Sequence, residues 1–513
     1  MIARLERKHV AALAAVALLA LAAGLVCAGS GGEEGPADHA ARLVPAGTLA
    51  YVHLSTDPER AEDARLARFA QALPSVTRLR DRIVAAVSPR AFDLERDVRP
   101  WLGDELAYAA VSPVDSVVLA AVADRARAEA LVARVGNLSG AERYRGVQVL
   151  VAGPTALAFA GGFLALGTEA AVRAAIDLDQ GDGDALADAP EYRRASAGRP
   201  DERSLDAYAS AAGVRQVLAP RGGLLGALGA LLDRPGLTAV GASVTAEETG
   251  LRANVRLAGG APRDASFVPV LLERVPERAA AYLGVRSALR LARVLGRLGA
   301  QETLDELAAT LADEAGIDLE RDLLAPLSGE LAIAVTGAAD DPAGTGAGAP
   351  VVTLKARTAE PQRTGDALAR LQEPVARRLA VAGTVPRFEA QPIGGLDAFT
   401  LRVTPELAPS YAVAGDSVVI STAPAGLEPP RGTLAAARAF DATIGEVPDR
   451  ADSLVFLDLR ALLALGEETR LTAVPGIATA RDDLSRVRAA GAVIAEDPAN
   501  PSDTTAELFL EIP

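Results

Sequence analysis

Apolar and polar positions alternate in short runs separated by turn residues over most of the chain. Glu105–Val111 and Ser116–Val122 read as two strands around a Ser-Pro-Val-Asp turn. Asp124 then caps a helix through Val135, with Ala128, Leu131, Val132 and Val135 on one face. Gly146–Ala152, Ala156–Ala160 and Phe163–Leu166 follow as strands, and Glu169–Ile176 as a helix. The same order recurs later, with strands at Leu331–Val335 and Val351–Ala356, a helix at Gln362–Leu379, and strands at Ala398–Val403, Tyr411–Val413 and Val418–Ser421. Strands joined by short turns, with helices inserted, predict an α+β fold built on a mainly antiparallel sheet.

The recurrence extends to residues. Phe92-Asp93-Leu94-Glu95-Arg96-Asp97-Val98 returns 225 positions later as Ile317-Asp318-Leu319-Glu320-Arg321-Asp322-Leu323. Leu102, Glu105, Leu106 and Ala107 match Leu327, Glu330, Leu331 and Ala332 at the same shift. Two tandem homologous units are expected, 43–260 and 268–513. A fainter echo runs from a proline into an aromatic-bearing strand, at Pro45 to Tyr51, Pro200 to Tyr208, Pro276 to Tyr282 and Pro448 to Phe456.

The N-terminus departs from this alternation. Arg4, Arg7 and Lys8 precede an unbroken apolar run from Val10 to Ala28. As a helix it would span about 28 Å, long for a signal-peptide core and just enough for a membrane. Residues 1–28 are thus expected to be a signal peptide or an N-terminal membrane anchor, with the rest of the chain on the far side. Lipid attachment at Cys27 is a third outcome, opposed by the valine before it. Residues 29–42, which contain Gly, Glu and Asp, are expected to form a flexible linker.

Composition narrows the chemistry. Of 513 residues only three are histidine and one is cysteine. Cys27 lies in the apolar segment, so disulfides and thiolate metal sites within the fold are excluded. His9 precedes that segment and His39 falls in the expected linker, which leaves His53 to the folded part. The net charge of −15 disfavours nucleic acid and anionic lipid headgroups, and 4% aromatic content disfavours base or sugar stacking. Lysine is confined to Lys8 and Lys355, so Schiff-base or Ser-Lys chemistry would fall to Lys355.

Three segments are similar to a known family: Val-Pro-Ala-Gly-Thr-Leu-Ala-Tyr-Val (44–52), Asp-Leu-Glu-Arg-Asp-Val (93–98) and Gly-Gly-Phe-Leu-Ala-Leu-Gly-Thr-Glu-Ala-Ala-Val (161–172). The chain resembles domain-of-unknown-function family 3352 over most of its length beyond residue 42. The resemblance implies a bacterial extracytoplasmic protein without an assigned activity, and it carries no catalytic residues.

Four features are candidate sites. Asp93, Glu95 and Asp97 with Arg96 could bind a cation or act as acid and base, yet Asp93 and Asp318 are also placed to cap a helical turn. Asp177, Asp179, Asp182 and Asp184 resemble a calcium loop, but Gly181 and Asp182 fall out of EF-hand register. Arg286, Arg290, Arg293 and Arg297 form a basic stripe beside Leu291, Val294, Leu295 and Leu298, fit for an anionic partner or simply a solvated face. Leu224–Leu232 reads as a lid over an apolar ligand or as a core helix. No catalytic or cofactor-binding residue and no cofactor follows from the sequence.

The expectation is a non-catalytic, extracytoplasmic protein that binds a protein or envelope component. It would touch no nucleic acid and meet the membrane only through its N-terminal segment. Alternatives are a carrier or sensor of an apolar ligand, and a carboxylate-dependent hydrolase using Glu105 and Glu330.

Overall fold

The computed structural model describes residues 35–57, 60–72, 74, 94–135, 140–152, 155–218, 235–260, 266–296, 300–337, 349–380, 384–404, 407–468 and 481–513. The apolar segment 10–28 with Cys27, Asp93, Arg297, Leu298 and Leu224–Leu232 lie outside these residues. Among the described residues no helix is long and apolar enough to cross a membrane. The chain divides into two compact units: unit 1 runs to Ala261 and includes Ser502–Thr505, and unit 2 holds Pro262–Pro501 and Ala506–Pro513.

Unit 1 is α+β. Its strands are β1 (Ala50–Ser55), β2 (Leu102–Ala110), β3 (Ser116–Val122), β4 (Gly140–Tyr144), β5 (Val147–Ala152), β6 (Thr155–Ala160), β7 (Phe163–Gly167), β8 (Arg203–Ser210), β9 (Ala239–Ala246) and β10 (Gly250–Ala258). They pair antiparallel in the order β10-β9-β8-β1-β2-β3-β7-β6-β5-β4. The helix Glu169–Asp179 lies on β6 and β7 because Ala171, Val172, Ala175 and Ile176 make one apolar stripe, all buried. Burying a side chain the size of Ile176 contributes about 1.5–3 kcal/mol. The short helix Pro190–Ala195 approaches β9 so closely that a side chain at Gly241 would collide with the Ala195 carbonyl oxygen, 2.0 Å from its Cβ position.

Unit 2 is α+β as well. Its strands are β11 (Ala281–Arg286), β12 (Glu330–Thr336), β13 (Val351–Arg357), β14 (Phe388–Ile393), β15 (Leu396–Leu401), β16 (Ser410–Ala414), β17 (Ser417–Ser421), β18 (Ser453–Asp458), β19 (Ala489–Asp497) and, apart from its Ser502–Thr505, β20 (Asn500–Glu511). The printed antiparallel registers give β19-β18-β11-β12-β13-β17-β16-β15-β14, and β20 pairs with β19. Counted from the first strand of each unit, this is the same order as in unit 1. Tyr51 faces Tyr208 across β1 and β8, and Tyr282 faces Phe456 across β11 and β18. The four aromatic positions of the proline echo therefore meet two by two.

Two expectations need correction. Arg286 ends β11 and donates to the Ser266 carbonyl, so it is not part of the helix that bears Arg290 and Arg293. Ser287, at φ +73°, breaks the chain between strand and helix. Asp38 to Arg42, read as the end of a flexible linker, are packed against unit 1: Ala40–Leu43 form a 3-10 helix with Ala40, Ala41 and Leu43 buried.

Candidate functional site

A cluster of buried ionisable groups among the described residues of unit 1 is built by three neighbouring strands. Alternation puts Tyr51, His53 and Ser55 of β1 on one face, and the register sets His53 opposite Ala107 of β2 and Asp206 of β8. Glu105 lies two pairs further along, opposite Ser55, and so on the same face. His53, Glu105 and Asp206 are all buried.

The 3-10 helix Ala40–Leu43 closes over this face. Glu105 Oε2 accepts the backbone N–H groups of His39 at 2.8 Å and Ala40 at 3.1 Å, so the carboxylate satisfies a helix N-terminus. The His39 imidazole rests against Glu105 Oε1 through Nδ1. Asp38 Oδ1 accepts the Tyr51 hydroxyl at 2.5 Å and the Ala41 N–H at 3.2 Å, while its Oδ2 accepts the Tyr192 hydroxyl.

His53 sits between two carboxylates. Its Nε2 is 3.6 Å from Glu105 Oε2 and its Nδ1 is 3.7 Å from Asp206 Oδ2, distances for an ion pair and too long for a hydrogen bond. Neither ring nitrogen has a hydrogen-bond partner. Burial works against the charged imidazole, but the facing Asp206 and Glu105 outweigh it and lift its pKa to about 9. Burial likewise opposes ionisation of Glu105 and Asp206. His53 and His39 overcome this for Glu105, and His53, Arg199 and Arg203 for Asp206, so both pKa values are lowered. Burial, reinforced by Asp38, pushes the Tyr51 and Tyr192 hydroxyls well above the ordinary range.

Open space flanks this closure. A cleft of about 860 Å³ is lined by His39, Leu43, Glu105, Phe163, Leu178 and Asp179, among others. A smaller one, about 370 Å³, lies beside Asp38, Tyr192, Ser196, Arg199 and Arg203.

The other sequence candidates are placed as follows. Asp97 is buried and takes Arg134 at 2.6 Å and Arg96 at 3.2 Å. Asp322 takes Arg321 at 2.9 Å and Arg363 at 3.2 Å, and these arginines with the Asp318 N–H hold its pKa far below the usual range. Asp318 accepts the Arg321 N–H at 2.8 Å, a capping bond. Asp177 and Asp182 are both engaged by Arg145, and Asp177 also accepts the Tyr144 hydroxyl. Asp179 borders the larger cleft. Lys355 is buried and donates to the Arg274 carbonyl at 2.6 Å, and burial lowers its pKa to about 8. Glu330 accepts the Leu271 N–H at 3.0–3.1 Å, and burial raises its pKa to about 7. Glu105 and Glu330 thus do one job each, at the start of a 3-10 helix in their own unit.

No sequence pattern marks Asp38 or His39 as part of this site. A signal existed for Asp206: Ser204, Asp206 and Tyr208 share a strand face, as Tyr51, His53 and Ser55 do. A charged residue on the same face as a buried tyrosine marks an interior polar cluster.

Among solved structures, crystal form III of TP0453 resembles the chain with a TM-score of 0.26 and 10% identity, covering 42% of this chain and 78% of that one. Crystal form I of TP0453 gives 0.28 and 9%, covering 43% and 79%. No curated protein matches the chain. The family described as "Protein of unknown function (DUF3352)" matches residues 10–512, nearly the full length. The chain belongs to that family.

Proposed function

We propose that this protein is a non-catalytic binding protein of the cell envelope. Residues 10–28 tether it to the membrane or are cleaved on export, and it consists of two tandem copies of one α+β unit. The shared strand order and the paired aromatic positions support the duplication. The cleft of about 860 Å³ in unit 1 is the surface we assign to a protein or envelope partner. The observation that carries this reading is the fixing of Asp38–Leu43. The segment that follows the apolar stretch is fastened by Glu105 and the two tyrosines, and the cleft opens beside that fastening. The Asp38 and Glu105 carboxylates there accept hydrogen bonds from this chain's own groups, as expected of a rigid binding wall.

The test uses the full chain in intact cells, with a photo-crosslinking residue at Asp104 on the cleft rim or at exposed Val385 as control. Defined adducts from Asp104 alone, in the membrane or extracytoplasmic fraction, are expected. Recovery of the chain in the cytosol, or identical adducts from both positions, overturns the reading.

A further inference from the structure

Buried polar groups in folded proteins have partners, and an orphan calls for a physical reason. Several such atoms occur among the described residues of unit 1, and His53 differs in leaving both ring nitrogens without a hydrogen bond while it lies at ion-pair distance from two carboxylates. Its side chain is fully buried, and neither Nδ1 nor Nε2 makes a hydrogen bond. It is aimed into a set of metal-ligating groups: one donor atom each from Asp38, His53 and Glu105 lies within 4.8 Å of the others.

We infer that Asp38, His53 and Glu105 form a binding site for a single divalent metal ion of the zinc class. Zinc holds imidazole nitrogen at about 2.0–2.1 Å and carboxylate oxygen at about 2.0–2.2 Å. Two tetrahedral ligands are then roughly 3.3 Å apart. The 3.6 Å between His53 Nε2 and Glu105 Oε2 needs a small inward shift, and Asp38, within 4.8 Å of both, closes the set by a larger one. Two carboxylates balance the charge of the ion, and nitrogen with oxygen donors suits zinc better than calcium or magnesium.

The surroundings supply what a metal-bound histidine requires. Its other ring nitrogen normally points to a carboxylate that fixes tautomer and orientation. Here Nδ1 faces Asp206, itself held by Arg203 at 2.8 Å. The Tyr51 and Tyr192 hydroxyls position Asp38. His39, more than half exposed, stands where Glu105 meets the larger cleft and marks the way in. An imidazole ligand must be deprotonated at the nitrogen that binds the metal. The metal must displace that proton, so its affinity rises with pH.

The full chain, stripped with a chelator, is titrated with Zn²⁺ by calorimetry at pH 6, 7 and 8. One equivalent is expected, tightening up to about tenfold per pH unit, and Ca²⁺ and Mg²⁺ should give no heat. Co²⁺ in place of Zn²⁺ should give the visible absorption of a low-coordinate site. His53→Gln should abolish both signals with the circular dichroism unchanged, and His39→Ala should keep the stoichiometry. If His53→Gln does not fold, ¹⁵N-histidine labelling of the unaltered chain decides, because Zn²⁺ must shift a buried imidazole protected from exchange. Absence of Zn²⁺ heat on the folded chain at pH 8, binding unchanged in His53→Gln, or a shift confined to solvent-exposed imidazoles overturns the inference. These readouts on purified protein stand apart from the envelope reading, and either can fail alone.

Discussion

The triplet β8–β1–β2 of unit 1 and the triplet β18–β11–β12 of unit 2 have the same pairing and matching registers, yet they bury opposite chemistry. In unit 1 the central position is His53, between Ala107 and Asp206. In unit 2 it is Gly284, between Ala332 and Leu454. There the hydroxyl of Tyr282 lies 2.6 Å from where a Cβ on Gly284 would be, so the tyrosine covers the space the imidazole fills in the first triplet. Tyr51 instead sends its hydroxyl to Asp38, while the buried Tyr282 hydroxyl has no partner. One backbone arrangement thus tolerates a charged interior or an apolar one, provided a single residue decides where the tyrosine goes.

The sharpest way to break the comparison is to remove its centre. His53→Ala leaves Glu105 and Asp206 buried without the cation between them and should cost about 3–5 kcal/mol. Gly284→Ala forces Tyr282 to move and should cost about 1–3 kcal/mol. Hydrogen exchange on the full chain reads both, with lost protection confined to β1 and β2 in the first variant and to β11 and β12 in the second. Equal loss in both triplets would mean that the imidazole holds nothing of its own.

A smaller effect separates the tyrosines. Tyr51→Phe deletes a hydrogen bond to a carboxylate and should destabilise by about 2 kcal/mol. Tyr282→Phe deletes a buried hydroxyl without a partner and should stabilise by about 1 kcal/mol. Urea unfolding of both variants compares the signs; the same sign would remove the distinction.

The smallest effect lies in pH. Glu330 has its folded pKa raised to about 7 from an ordinary 4.5, so its contribution is fully present below pH 4.5 and lost as pH rises through 7. His53 is raised to about 9 from 6.5, so its contribution is fully present below pH 6.5 and lost as pH rises through 9. Unit 2 should weaken first on going alkaline, by on the order of 1 kcal/mol once solvent screening is allowed for. Glu330→Gln should flatten the dependence of β12 exchange between pH 4.5 and 7 and leave β2 unaffected.

Periodicity in the sequence carried much of this architecture. Ser116–Val122 and the helix after Asp124 appear where alternation and capping place them, and Asp124 accepts the Arg127 N–H at 3.1 Å. Polar strands were harder: β4, Gly-Ala-Glu-Arg-Tyr, carries no apolar alternation and is visible only through its pairing with β5. The site was legible in part. Glu105 stood out because it repeats as Glu330, but its use as a cap depends on chain 65 residues upstream. The meeting of His53 with Asp206 depends on a register between strands about 150 residues apart, which neither local propensity nor composition encodes. Asp38 and His39 were hidden by their Gly- and acid-rich neighbours, whose composition resembles an unstructured spacer.

The fastening of Asp38–Leu43 has a mechanical consequence. A pull on the chain ahead of Asp38 reaches the Glu105 and tyrosine bonds before it reaches β1. Several short hydrogen bonds to two carboxylates must then let go together, so the load is shared and the first strand is shielded from being peeled off its neighbours. Tension on a tether would be borne at this clasp, and its breaking force would set how hard unit 1 can be tugged before the sheet opens.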